Sequence, residues 1–119
     1  MPLPTLDEFI TKLLAVGKWT SPNNSWVRAS GFTGFYARVT QRVIENKMCW
    51  PVLDIANIEV ARKGKGTFTN LILRLRKDYP ALTIYVECVM TEKFCQHLRK
   101  MGFKEVPGTP NSFYMLPDK

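Results

Sequence analysis

Apolar positions along the chain change period several times, and each change marks an element. Leu6, Phe9, Ile10, Leu13 and Leu14 recur at helical spacing, and Thr5-Leu6-Asp7-Glu8 before them has the form of a capping box. A first helix is expected to start there and to end at Gly17. Residues 18–34 mix Pro22, Asn23, Asn24, Ser25, Gly31 and Gly34 with Trp19 and Trp26, which predicts a long loop carrying a short strand around Trp26. Over residues 35–44 the period becomes two: Tyr36, Arg38, Thr40 and Arg42 alternate with Phe35, Ala37, Val39 and Val43. Glu45-Asn46-Lys47 then turns the chain into a second strand over 48–60, whose well-paired part is 52–60 because Pro51 cannot donate to a ladder.

The period returns to helical after a glycine-containing loop at 63–68, with Phe68, Leu71, Ile72 and Leu75 on one face up to about Lys77. Tyr79-Pro80 ends that helix. Residues 82–89 are apolar on both parities, as in a strand covered on both sides. Thr91 is a fit cap for a third helix, in which Phe94, Leu98 and Met101 share a face before Gly102 stops it. Two short strands, 103–106 and 112–116, close the chain around a Pro107-Gly108-Thr109-Pro110-Asn111 turn. The expected order is α, β-hairpin, α, β, α, β-β, with no internal repeat or low-complexity tract.

The chain has 119 residues, 45% of them hydrophobic, which fits one domain with a real core and no need of disulfides. Three cysteines, Cys49, Cys88 and Cys95, and one histidine match neither a disulfide framework nor a zinc-site spacing, so a reducing, cytoplasmic compartment is expected and no metal. No apolar run is long enough for a membrane span, and no signal-peptide pattern opens the chain.

Charge sharpens the picture. The formal net charge is +7, and residues 61–119 carry eleven basic against five acidic residues, whereas residues 1–60 carry six against five. Arg62, Lys63, Lys65, Arg74, Arg76 and Lys77 lie within sixteen residues that contain no acid before Asp78, so an anionic partner is reasonable there. A solvated helix face with a basic loop is the plainer account. The loop itself follows a strand, holds Gly64 and Gly66 between Lys63 and Lys65, and opens a helix, an arrangement that presents unpaired backbone N–H groups to phosphate. It lacks the Gly-Lys-Ser/Thr ending of a Walker loop and the third glycine of a dinucleotide fingerprint.

Taken with the strand and helix that follow, and with Arg99-Lys100-Met101-Gly102-Phe103 closing the last helix, this loop resembles the core of the GNAT family of acyl-CoA N-acetyltransferases over about residues 52–116. Its small size resembles the compact phage or bacterial members. The family loop reads Gln/Arg-x-x-Gly-x-Gly/Ala. The preferred register puts Lys63 at the basic position, Gly66 at the glycine and Phe68 at the last small position; the other uses Gly64 and Gly66 with Ala61 at the basic position. The resemblance implies an α+β fold with a mostly antiparallel central sheet flanked by helices on both faces. It further implies that Lys63, Gly64, Lys65, Gly66, Thr67 and Phe68 hold the pyrophosphate of acetyl-CoA, and that the main chain near Ile58 and Val60 pairs with the pantetheine arm.

The implied reaction is direct transfer of an acetyl group to a primary amine of a small molecule or a protein. A thioester is already activated, so the protein has mainly to position it, polarise its oxygen and remove a proton from the amine. Asp54 and Glu59 are the candidate bases; odd spacing on a regular strand sends them to opposite faces, so only one is expected to face the cleft. The resemblance favours Asp54. Equally, Asp54 is placed to pair with Arg38 or Arg42, and Glu59 to neutralise the basic loop. Thr91 and Leu98 stand where the family often has Asn and a thiolate-protonating Tyr; Cys95, His97 and Tyr114 are possible substitutes, each with a plainer reading as core, solvent-facing and packing residue. Two other functions remain open: a GNAT-shaped module that docks to a partner without catalysis, and a small nucleic-acid-binding domain using residues 62–77 with Trp19, Trp26 or Trp50 as stacking platforms.

Overall fold

The computed structural model describes residues 3–16, 24–62, 65–87, 91–109 and 111–117. Helix α1 spans Leu6–Val16 and is followed by strands β1 (Asn24–Trp26), β2 (Phe32–Ile44) and β3 (Lys47–Val60). Helix α2 (Thr67–Asp78), strand β4 (Thr83–Val86), helix α3 (Glu92–Met101) and strands β5 (Lys104–Glu105) and β6 (Phe113–Met115) complete the order. This is an α+β fold with one mixed six-stranded sheet, ordered β1-β2-β3-β4-β6-β5. Only β3 and β4 run parallel, because α2 carries the chain back between them; all other neighbours are antiparallel. No helix among the described residues is long and apolar enough to cross a membrane.

Local chemistry explains the helix ends. The Thr5 N–H donates to Glu8 Oε1 at 2.9 Å and the Glu8 N–H donates to Thr5 Oγ1 at 3.1 Å, closing the capping box. Thr91 Oγ1 accepts from the Phe94 N–H at 3.3 Å, and Gly102, at φ 103°, ends α3 in the left-handed conformation. The amphipathic faces then pack as the spacing predicts. Phe68, Leu71, Ile72 and Leu75 of α2 are buried, each burial contributing about 1.5–3 kcal/mol.

The distribution of helices departs from the expected one. Buried residues of α1 (Leu6, Phe9, Ile10, Leu13), α2 and α3 (Cys95, Leu98) form a single cluster with Phe35, Ala37, Val39, Leu53, Ile55, Ile84, Val86 and Phe113, which all share one face of the sheet. The described helices therefore cover one face and not both. Part of the other face is covered by the sheet itself. The β2–β3 hairpin is long, turns at Glu45 and Asn46 (φ 53° and 65°), and curls across that face until Tyr114 Oη of β6 donates to Glu45 Oε2 at 2.6 Å. Ile44, Val52, Tyr85 and Tyr114 form a small second core beneath it.

The hairpin bends where its register breaks. One break lies between Thr40 and Arg42, opposite Trp50 and Pro51, in agreement with the expectation that Pro51 interrupts the ladder. Another lies between Tyr36 and Ala37, where β3 accommodates the extra residue Ala56.

Candidate functional site

Strands β3 and β4 pair from Val52↔Thr83 to Ile55↔Val86, and the Glu87 N–H donates to the Ile55 carbonyl at 3.1 Å. Beyond this point β3 continues to Val60 alone on that side: among the described residues, no strand pairs with the β4-facing main chain of residues 56–60. On the other side β2 holds the same segment through Phe35↔Ile58 and Phe32↔Val60. Residues 88–90, which follow β4, lie outside the described residues, and among those described the backbone donors and acceptors of 56–60 on this side face no strand. Ile58 packs against the main core, so what it offers on this side is main chain.

The loop leaving β3 leads to the start of α2. Gly66 is the N-cap, at φ 70° and ψ 17°, with no side-chain cap, so among the described residues the first N–H groups of α2 have no capping side chain as acceptor. Lys65 and Gly66 are exposed, Thr67 is half-buried, and Lys63 and Gly64 lie outside the described residues. Phe68 takes no part through its side chain. Its ring is buried edge-on against Phe94, with centroids 5.1 Å apart, and only its N–H belongs to the helix start.

The carboxylates are arranged differently from the expectation drawn from spacing. Arg38 pairs with Asp54, Tyr36 with Asn57 and Gly34 with Glu59, and Gly34, Tyr36 and Arg38 alternate regularly on one face of β2. The bulge at Ala56 restores the parity that the odd interval would break. Asp54, Asn57 and Glu59 consequently share a face, so the argument that only one of Asp54 and Glu59 faces it fails.

Asp54 is fully buried and saturated on one oxygen. Its Oδ2 accepts from Arg38 Nε at 2.8 Å, from Arg42 Nε at 3.2 Å and closely from Arg42 Nη2, while Oδ1 is buried without a hydrogen-bond partner. Glu87, which the sequence reading did not single out, completes the cluster: its Oε2 accepts from Arg38 Nη2 at 2.7 Å and from Arg42 Nη2 at 3.0 Å. Burial raises the Glu87 pKa above the ordinary 4.5, the adjacent Asp54 carboxylate raises it further, and Arg38 opposes both. The hydrogen bond to Asp54 is the main reason the Arg38 pKa is raised. Arg42 also lies over the Tyr85 ring, 4.0 Å from its centroid. These residues come from β2, β3 and the end of β4, and the one linear clue to them is a pair of arginines four apart on a strand.

Glu59 is exposed, and among the described residues its carboxylate has one hydrogen-bond partner, Thr33 Oγ1, at 2.6 Å. The substitutes for a general acid are occupied or remote from solvent. Leu98 is fully buried; Cys95 is 1% exposed, and burial raises its thiol pKa. Tyr114 is buried with its pKa raised to about 12 by the hydrogen bond to Glu45 and by burial, so it holds its proton. His97 is exposed on α3 and meets Thr69 Oγ1 of α2 at 2.9 Å.

No family model matches this chain, and neither the curated proteins nor the solved structures contain a match to it.

Proposed function

We propose that the chain is an acyl-CoA-dependent N-acetyltransferase of the GNAT type, transferring the acetyl group of acetyl-CoA directly to a primary amine. The observation that carries the reading is that, among the described residues, β3–β4 pairing ends at Ile55 and Val86 while β3 runs on to Val60 and then to α2, whose N-cap is Gly66. A phosphorylated ligand with an amide-bearing arm needs both features: N–H groups at a helix start for its phosphates, and an unpaired strand margin for its amides. Arg62 and Lys65, both exposed, add positive charge to the same loop.

Residues 56–60 would hold the pantetheine arm through main chain, and the N–H groups of Thr67 and Phe68 would take the pyrophosphate. The amine nitrogen then attacks the thioester carbonyl carbon, the C–S bond breaks, and the thiolate leaves; the proton lost by the amine passes to a carboxylate. Of the two candidate bases, Glu59 has the stronger claim. Asp54 is sealed from solvent and committed to two arginines, whereas Glu59 is open on the same face. Incubation with acetyl-CoA and a panel of primary amines, following release of the free thiol, tests the reading. Amine-dependent thiol release supports it; CoA binding without release across the panel refutes transfer.

That last outcome would favour a second reading, a module that binds without catalysis. Its supporting observation is that, among the described residues, the family's acid position is taken by the core residue Leu98, and the Tyr114 hydroxyl is engaged by Glu45.

A further inference from the structure

Next to the Arg38–Asp54 pair, the same face of the sheet carries an aromatic wall, a bare floor and a carboxylate. Trp26 of β1 pairs with Tyr36 of β2, with ring centroids 5.1 Å apart, and Trp26 remains 46% exposed. The next position of β2 on this face is Gly34, opposite Glu59 of β3. A Cβ added at Gly34 would stand 3.6 Å from Trp26 Cζ3 and 3.8 Å from Glu59 Cβ, so the glycine lies between the indole and the acid.

Nothing in the fold requires glycine at this position. Its backbone is not left-handed, the added Cβ would make ordinary contacts, and the neighbouring register shift does not depend on a positive φ. Glycine within a strand weakens it and often marks close approach of another group. A groove of about 770 Å³ opens beside it toward the helix-covered side, lined by Trp26, Gly34 and apolar residues including Val27 and Phe35, with the charged Asp7, Arg28 and Arg74 also on its wall.

We propose that Trp26, Gly34 and Glu59 form a cradle for an alkylammonium group, with the cation against the indole, Glu59 as its counter-charge and the apolar tail of the molecule in the groove. A cation is attracted to an indole face, and Glu59 disfavours an anion at the same place. The formal net charge of +7 works against polycations at longer range, so the ligand class is a small amine with one positive charge. As a statement about the acceptor this rests on the acetyltransferase reading, the held ammonium being the acceptor amine before it loses its proton; as a binding site it does not.

The test is binding without acetyl-CoA. The wild-type chain is titrated with n-butylammonium chloride and, separately, with neutral n-butanol at matched ionic strength, following the Trp26 indole N–H resonance by NMR, assigned with Trp26→Phe. A saturable shift is expected, at least about tenfold weaker for butanol and for Glu59→Gln, and absent in Gly34→Val, whose melting temperature stays at or above that of the wild type. If Gly34→Val does not fold, Gly34→Ala is measured in its place, with a smaller loss of affinity expected. No saturable shift, equal binding of butanol, or undiminished binding by Glu59→Gln overturns the cradle. Saturable ammonium binding with no acetyl transfer leaves the cradle standing and removes the enzyme reading; transfer without ammonium binding does the reverse.

Discussion

Replacing Asp54 by Asn separates a structural carboxylate from a catalytic one. The side chain keeps its volume but loses its charge, and with it charge-assisted bonds from Arg38 Nε at 2.8 Å, Arg42 Nε at 3.2 Å and Arg42 Nη2. Each hydrogen bond to a charged group is worth about 1.5–3 kcal/mol net when buried. The guanidinium side chains are 35% and 30% exposed and keep Glu87 as a partner, so they recover part of the loss through water and through that carboxylate. A net cost of about 2–3 kcal/mol follows, which at roughly 4 °C per kcal/mol lowers the melting temperature by roughly 8–12 °C. Scanning calorimetry at neutral pH measures it, with thiol release from acetyl-CoA measured on the same preparation below the melting range. The rate per folded molecule is expected to stay within a few-fold of wild type. An unchanged melting temperature with transfer slowed about a hundredfold would refute the reasoning and return Asp54 to the role of base.

Gly66→Ala is expected to cost about 1 kcal/mol, because an alanine at φ 70° is strained although its Cβ would meet nothing closer than Asn70 Nδ2 at 3.8 Å, and to weaken CoA binding about tenfold. Gly66→Asn, which tolerates that conformation, should regain stability without regaining affinity, as calorimetric titration with CoA will show. Leu98→Tyr enlarges a fully buried position and should destabilise by about 1–3 kcal/mol with no gain in rate, measured by urea melts beside the transfer assay. For Glu87, the raised pKa means that the folded chain holds more protons than the unfolded chain in a window that begins at 4.5 and extends upward, so this group's contribution is present at lower pH and lost as pH rises through the folded pKa. Asp7, Glu8, Glu45 and Glu105, all held below their usual values, give the opposite slope, losing their contribution as pH falls through their lowered values. Urea midpoints across pH should show a decline above 4.5 that Glu87→Gln removes.

What could be read from the sequence was what is encoded locally. The Thr5–Glu8 capping box, the Thr91 cap, the Gly102 stop and the apolar face of α2 depend on residues within a turn or two of each other, and all are present. Regular alternation misled at β3 because it assumes an unbroken ladder. The polar positions Asp54, Asn57 and Glu59 do not alternate, and that irregularity was the available sign of the bulge at Ala56. The one-sided placement of the helices had no such sign. It depends on a hairpin tip at Glu45 reaching Tyr114, sixty-nine residues away, so that strand rather than helix buries the small cluster on the second face. Glu87 escaped notice for a similar reason: its partners Arg38 and Arg42 stand on a strand two places across the sheet.

The central claim, that a CoA thioester lies along the free margin of β3 with its pyrophosphate at the start of α2, is tested most directly by an amide NMR titration of the assigned, isotopically labelled chain with CoA. Saturable shifts are predicted for the amides of residues 56–60 and 65–70, with little change at the β2–β3 hairpin tip or in α1. Shifts absent from both segments at saturating CoA, or centred elsewhere, would contradict it.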